Sequence, residues 1–328
     1  MKDDKLKDFV YNENAGAGTY IYVIDTGAAY TVRINDGNHE FEKIEAFQTA
    51  HSKDHGEKEN EDGSDISHGA MVSSQALGRK YGVAKAATLV SVKMTSKFKN
   101  LDAKMADFIL ALEAVTTHLE SRPESYAKSV VTCSHGWKIG MDHKKAETDP
   151  AAIQMRVYLD RLFEMGVPFI SSSGNLAHLF KTIDKLPKVL EDPDTPIINV
   201  GAVDADGSTP IFSQTGPQLT ISAPGVGIAG QQKEDGKEGI EQGTSHSAPL
   251  VAGVIAAYLN YEPPPWGESY TGKERVQAIK DYILTDKSSW IRKAGSDIRV
   301  IRNGATEEDH KNAGANQFSA PAPDPAPF

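Results

Sequence analysis

The chain has 328 residues, 39% of them hydrophobic and 24% charged, enough for a sizeable core in one large domain or two small ones. A formal net charge of −10, from 35 Lys and Arg against 45 Asp and Glu, argues against a non-specific nucleic-acid binder, which needs a basic face for phosphates. Cys133 is the single cysteine and can form no internal disulfide, and no segment reaches the apolar length that spans a bilayer.

The N-terminal "MKDDKLKDFVYNEN" is too charged for the apolar core of a secretory signal, so the chain reads as soluble. Residues 19–24, "TYIYVI", form a β-branched and aromatic run that ends in Asp25, Thr26 and Gly27, the pattern of a buried strand closing in a polar turn. Comparable runs follow at 88–94, 129–133, 167–171, 197–203 and 219–224. Cys133 lies inside one of them and reads as a small buried hydrophobe. Between the strands, Met105, Phe108, Ile109, Leu112, Val115 and Leu119 repeat at three-and-four spacing and predict one helix face. A second helix is predicted from Pro150 to Gly166, with proline in its first turn and glycine after its last.

Strands alternating with helices predict right-handed crossovers and a mostly parallel sheet covered on both faces, an α/β fold. Charged stretches at 51–65, 178–196 and 230–241 read as solvated loops, and the Pro-rich end "SAPAPDPAPF" as extended or disordered. Ligands of open parallel sheets gather at the carboxyl ends of the strands, which directs attention to Asp25, to Ser134–Trp137 and to Ser171–Asn175.

Three residues at element ends suggest chemistry. Asp25 closes a strand, His68 opens a helix in "SHGAMVSSQAL", and Ser245 opens another in "GTSHSAPLVAG". A serine hydroxyl attacks at neutral pH only if a base takes its proton, and an imidazole serves as that base when a buried carboxylate fixes its tautomer. Taken singly, Asp25 reads as a turn former, His68 as a satisfied histidine and Ser245 as a helix cap. The order and placement of all three favour the chemical reading.

The chain resembles the subtilisin-like serine proteases, and within them the proteinase K branch. The resemblance rests on "NAGAGTYIYVIDTG" (14–27), "HEF" (39–41), "SHGAMVSS" (67–74), "YGVAKAATLVSVKM" (81–94), "SHGW" (134–137), "SSSGN" (171–175), "INVGAVD" (198–204), "FSQTGP" (212–217), "ISAPGVGI" (221–228) and "GTSHSAP" (243–249). It implies a subtilisin-like three-layer fold over residues 12–262, leaving an N-terminal extension (1–11), a C-terminal extension packed on the domain (263–312) and the tail (313–328). It implies a serine endopeptidase acting through an acyl-enzyme, with Ser245 as nucleophile, His68 as base and Asp25 orienting His68. The oxyanion would be held by the Asn175 side chain and the Ser245 backbone N–H. Substrate backbone would lie along Ser134, His135 and Gly136 and along Lys99, Asn100 and Leu101, with Phe98 and Leu101 suggesting an apolar subsite. Ser171, Ser172, Ser173 and Gly174 would line the primary specificity pocket. The expected partner is a polypeptide substrate, with an inhibitory prodomain outside this chain as the family pattern and a monomer as the working form. No cofactor is expected for the chemistry. Calcium is frequent in the family, but no calcium-loop spacing is present and none is inferred. Relatives of this branch are mostly secreted, a pattern that the charged N-terminus does not reproduce.

Two departures from the family pattern stand at the site: Ala70 replaces the usual Thr after His-Gly, and His246-Ser247-Ala248-Pro249 replaces Met-Ala-Ser/Thr-Pro. They keep open a catalytically silent relative that binds peptides, and acyl transfer to an amine is open as well. Nucleotide binding, prompted by Gly16 and Gly18, fails because those glycines precede a strand instead of following one. A zinc pair from His51 and His55 would need a helix in a charged insertion, which reads as loop.

Overall fold

The structure is a computed structural model and describes residues 9–97, 101–306 and 308–309, with the side chains of 101–103 set aside. The tail 313–328, the first eight residues, Phe98, Lys99 and Asn100 lie outside the described residues. In chain order the elements are β1 (Tyr20–Asp25), β2 (Lys43–Gln48), α1 (Ala50–Asp54), α2 (His68–Leu77), β3 (Thr88–Lys93), α3 (Leu101–Glu120), β4 (Ser129–Cys133), α4 (His143–Ala146), α5 (Pro150–Glu164), β5 (Phe169–Ser172), β6 (Ile198–Val203), β7 (Ile221–Pro224), β8 (Ile228–Gln231), β9 (Glu238–Glu241), α6 (Thr244–Leu259), α7 (Gly272–Ile283), β10 (Ser289–Ile291) and β11 (Arg299–Ile301).

Nine strands form one sheet in the order β10-β11-β7-β6-β5-β4-β1-β3-β2, parallel except for the β10–β11 pair. The alternation of strand side chains builds the layers. Ile21 and Val23 of β1 face one core together with Leu89, Val130, Ile170 and the buried faces of α2 and α6. Tyr22 and Ile24 face the other, with Val90, Val92, Phe108 of α3 and Leu159 of α5. Burial on both faces explains why the central strands are continuous apolar runs, and the α/β three-layer expectation holds. α5 starts as its sequence dictates: Pro150 takes the first turn, and the Asp149 carboxylate accepts from the N–H groups of Ala151 (3.0 Å) and Ala152 (3.1 Å).

The charged stretches hold more structure than the loops expected of them. Within 51–65, "HSKDH" begins with α1, whose His51 lies 3.4 Å from Asp107. Within 230–241, β8 and β9 form an antiparallel ribbon. The 51–65 insertion is tied to the end of β3 by Lys93, whose ammonium donates to the Lys58 and Glu61 carbonyls, both at 2.7 Å, and lies 3.5 Å from Glu57. Both partners are buried, Lys93 at 1% and Glu57 at 3% side-chain exposure. Removing one member of such a pair strands the other charge, so Lys93→Met is expected to lower stability by about 3 kcal/mol. Urea unfolding followed by circular dichroism checks this, and an unchanged midpoint would contradict it.

Candidate active site

The turn after β1 and the start of α2 meet at close range because neither carries bulk at the contact. A Cβ on Gly69 would lie 2.2 Å from the Gly27 carbonyl oxygen, so glycine is required there. This approach sets the His68 Nδ1 at 2.9 Å from Asp25 Oδ1 and 3.1 Å from Oδ2. Asp62 from the charged insertion holds the junction. Its carboxylate accepts from the Ala70 N–H at the helix start (2.8 Å), from Thr26 Oγ1 (2.8 Å) and from the Ser64 N–H (2.8 Å). At Ala70, where the family pattern has Thr, the helix start is therefore supported from Asp62.

Asp25 is 1% exposed. Burial alone would raise its pKa, but the imidazoles of His68 and His135 outweigh that and hold the carboxyl well below its ordinary 3.8. For His68, burial pulls downward and the Asp25 charge and hydrogen bond pull harder upward, leaving its pKa above 6.5. His135 enters by an unexpected route. Expected only to offer backbone to a substrate, it also brings its ring Nε2 to 3.2 Å from Asp25 Oδ1, with its centroid 5.1 Å from that of His68. One carboxylate thus serves two imidazoles.

Ser245 lies in the first turn of α6, where backbone N–H groups have no acceptor within the helix. The capping position is Gly243, which has no side chain to offer the helix, and the Ser245 hydroxyl makes no cap bond. The Ser245 hydroxyl donates to the Ser134 carbonyl at 3.3 Å. Pro249, four residues on, has no N–H for the Ser245 carbonyl, and that carbonyl accepts the Ser134 hydroxyl instead at 2.9 Å. The proline so joins the helix start to the end of β4.

Asn175 follows the β5 turn with its orientation fixed: its Oδ1 accepts from the Thr244 N–H and hydroxyl, both at 2.9 Å. A Cβ on Gly243 would come within 3.1 Å of the amide Nδ2, so this side chain lies close against the start of α6. Ser171 and Ser172 end β5, Ser173 donates its N–H to Val200 (2.8 Å), and the Gly174 N–H reaches Thr244 Oγ1 (3.1 Å). Leu101 opens α3.

His246 faces α2. Its Nδ1 meets Gln75 Oε1 at 3.0 Å, and its ring centroid lies 6.0 Å from that of His68. Burial, then the neighbouring His68 charge, lowers its pKa to about 4, so it is neutral near pH 7 and places no rival charge beside His68.

The one group of metal-capable side chains among the described residues is Asp25, His68 and His135, with ligand atoms within 4.8 Å of one another. Their carboxylate–imidazole contacts account for that grouping. Two nitrogens and a carboxylate are also a poor match for calcium, which takes six to eight oxygens.

With this geometry established, comparison with known sequences gives a consistent result. The profile of the Subtilase family matches residues 16–315. The chain belongs to the subtilase family. Among curated relatives of this subtilase, "Subtilisin-like protease 3" of Pseudogymnoascus destructans is 28% identical over 290 residues, covering 87% of this chain and 63% of the relative. "Subtilisin-like protease 2" of Trichophyton rubrum is 26% identical, covering 93% of this chain and 63% of the relative. The subtilase chain thus spans somewhat under two thirds of the length of these relatives. Among solved structures, a cold adapted subtilisin-like serine proteinase superposes with a TM-score of 0.63 at 22% identity, covering 90% of this chain and 92% of the other. The Prenylagaramide maturation protease PagA gives 0.61 at 18%, covering 88% and 92%. Both share the fold of this subtilase.

Asp62, Gln75 and Lys188 stand at the site and were not predicted from sequence. The signal for Lys188 is its position in the apolar run "LPKVL"; Asp62 lies in a run of charge that carries no comparable signal.

Proposed function

We propose that this subtilase is a serine endopeptidase that hydrolyses polypeptides through an acyl-enzyme. The observation that carries the reading is the 2.9 Å contact between His68 and the buried Asp25, in a site that also holds Ser245 at a helix N-terminus and an oriented Asn175. In that reading Ser245 Oγ attacks the scissile carbonyl while His68 takes its proton and later gives it to the leaving amine. Asp25 fixes the tautomer and steadies the imidazolium. Negative charge on the carbonyl oxygen is met by Asn175 Nδ2 and the Ser245 N–H, both present before the reaction starts, with the helix N-terminus adding to the field. An extended substrate pairs with the Ser134–Gly136 backbone, and Ser171–Gly174 wall the pocket beside it.

Hydrolysis of an unstructured polypeptide in isotopically labelled water tests the reading. New fragments carrying the label at their carboxyl termini are expected. Fragments captured by an added amine in place of water would indicate acyl transfer, and an uncut polypeptide would indicate a silent peptide-binding relative.

The base must be neutral to act. Because the His68 pKa is raised, kcat/KM is expected to climb with pH through a midpoint above 6.5. For stability the sign is opposite: the His68–Asp25 attraction contributes fully below pH 6.5 and is lost as pH rises through the folded value. The lowered Asp25 pKa contributes above pH 3.8 and is lost as pH falls through its own folded value. His246→Met is expected to leave the acid limb of the activity profile in place, since His246 is already neutral there. A limb that moves with this substitution would assign the titration to His246.

A further inference from the structure

Beneath the Ser134–Gly136 and Ser171–Gly174 segments lies a cation that the proposed chemistry does not use. Lys188, 2% exposed, donates its Nζ protons to the His135 carbonyl (2.9 Å) and to Ser172 Oγ (3.1 Å). Ser172 Oγ in turn donates to the Ser134 carbonyl (3.1 Å), which also accepts from Ser245 Oγ (3.3 Å). Hydrogen bonds therefore run without a break from the Ser245 hydroxyl to the ammonium. The lysine fits because residue 136 is glycine: a Cβ there would lie 3.0 Å from Lys188 Cε and Nζ.

An ammonium has three N–H donors, and the two acceptors described here are both uncharged. Among the described residues no carboxylate lies within ion-pair distance of Nζ, unlike the buried Lys93, which has Glu57. Burial pushes the Lys188 pKa down to about 7, and a carboxylate arriving at Nζ would favour the charged form. A buried amine with no carboxylate at ion-pair distance, acted on by Asp184 only at longer range and set between the two segments that flank the nucleophile, suits an anionic group delivered by the substrate.

We infer that Lys188 is a specificity-determining residue that selects substrates with an acidic side chain, Asp or Glu, on the residue supplying the scissile carbonyl. The inference rests on the peptidase reading above. Its structural rival is a lysine that merely fills the floor and ties His135 to Ser172.

The test is a series of peptides identical except at that residue, which is Glu, Gln, Asp, Asn, Leu or Lys in turn. For the wild-type chain, kcat/KM for each acid is expected to exceed that of its amide by about 10- to 100-fold, the worth of a buried hydrogen bond to a charged partner. The acid-to-amide ratio is internal to each enzyme and does not depend on the fraction folded. It is expected to fall to near one in Lys188→Met and to persist in Lys188→Arg. Cleavage of the series with a wild-type ratio near one, or a ratio unchanged in Lys188→Met, would overturn the inference and leave the peptidase reading standing. Cleavage of no member would overturn the peptidase reading, and the inference with it.

Discussion

Ser245→Ala is expected to lower kcat by about a million-fold, the magnitude known for the nucleophile of subtilisin itself. The same substitution is expected to change stability by less than about 1 kcal/mol, because it removes one hydrogen bond of 3.3 Å at a half-buried hydroxyl. Those two magnitudes separate the rival roles of the residue. A serine capping α6 would cost about 1 kcal/mol on replacement by Ala and leave any activity in place. Here the capping position belongs to Gly243, and the Ser245 side chain makes no cap bond. Side-by-side measurement of kcat/KM and of urea unfolding decides the matter, and parallel modest losses in both would return Ser245 to a structural role.

Asp25→Asn is expected to lower kcat by about ten-thousand-fold, the scale found when the acid of such a triad loses its charge. The carboxylate accepts two contacts from His68 and lies 3.2 Å from the Nε2 of His135. An amide offers only one acceptor oxygen and adds N–H donors that can hold His68 in the wrong tautomer. Without the charge, the burial of His68 is opposed only weakly, so its pKa falls. The acid limb of kcat/KM should therefore move to lower pH while the maximum drops. A reduced rate with the limb unmoved would show that Asp25 acts on folding and not through His68.

The parts of the fold visible in the sequence are those that burial on two faces makes periodic or continuous. "YIYVID" and "SVVTC" are central strands with helices on both sides, and their composition announces it. α3 and α5 carry one apolar stripe each and are equally plain. β2, "KIEAFQ", was not legible: it is an edge strand with no fully buried residue and no clean alternation. The β8–β9 ribbon is masked by charge and glycine, because a two-stranded ribbon over the surface needs no apolar face.

At the site, Asp25, His68 and Ser245 could be named because each stands at the end or start of an element, and Asn175 because the family resemblance carried it. Their neighbours were hidden for a physical reason. Asp62, Glu57, Lys93 and Lys188 are charged residues that a composition reading assigns to solvent, yet each is buried against partners distant in the chain. His135 was read through its backbone, since nothing in "SHGW" says that its ring turns toward Asp25.

The central claim is that Ser245 is an activated nucleophile, and covalent capture tests it most directly. The folded chain is treated with a fluorophosphonate, and the adduct is located by peptide mass spectrometry. The account predicts one adduct per chain, on Ser245, absent in His68→Ala and absent when the chain is unfolded before labelling. No adduct on the folded chain, an adduct on another hydroxyl, or undiminished labelling of His68→Ala would contradict it.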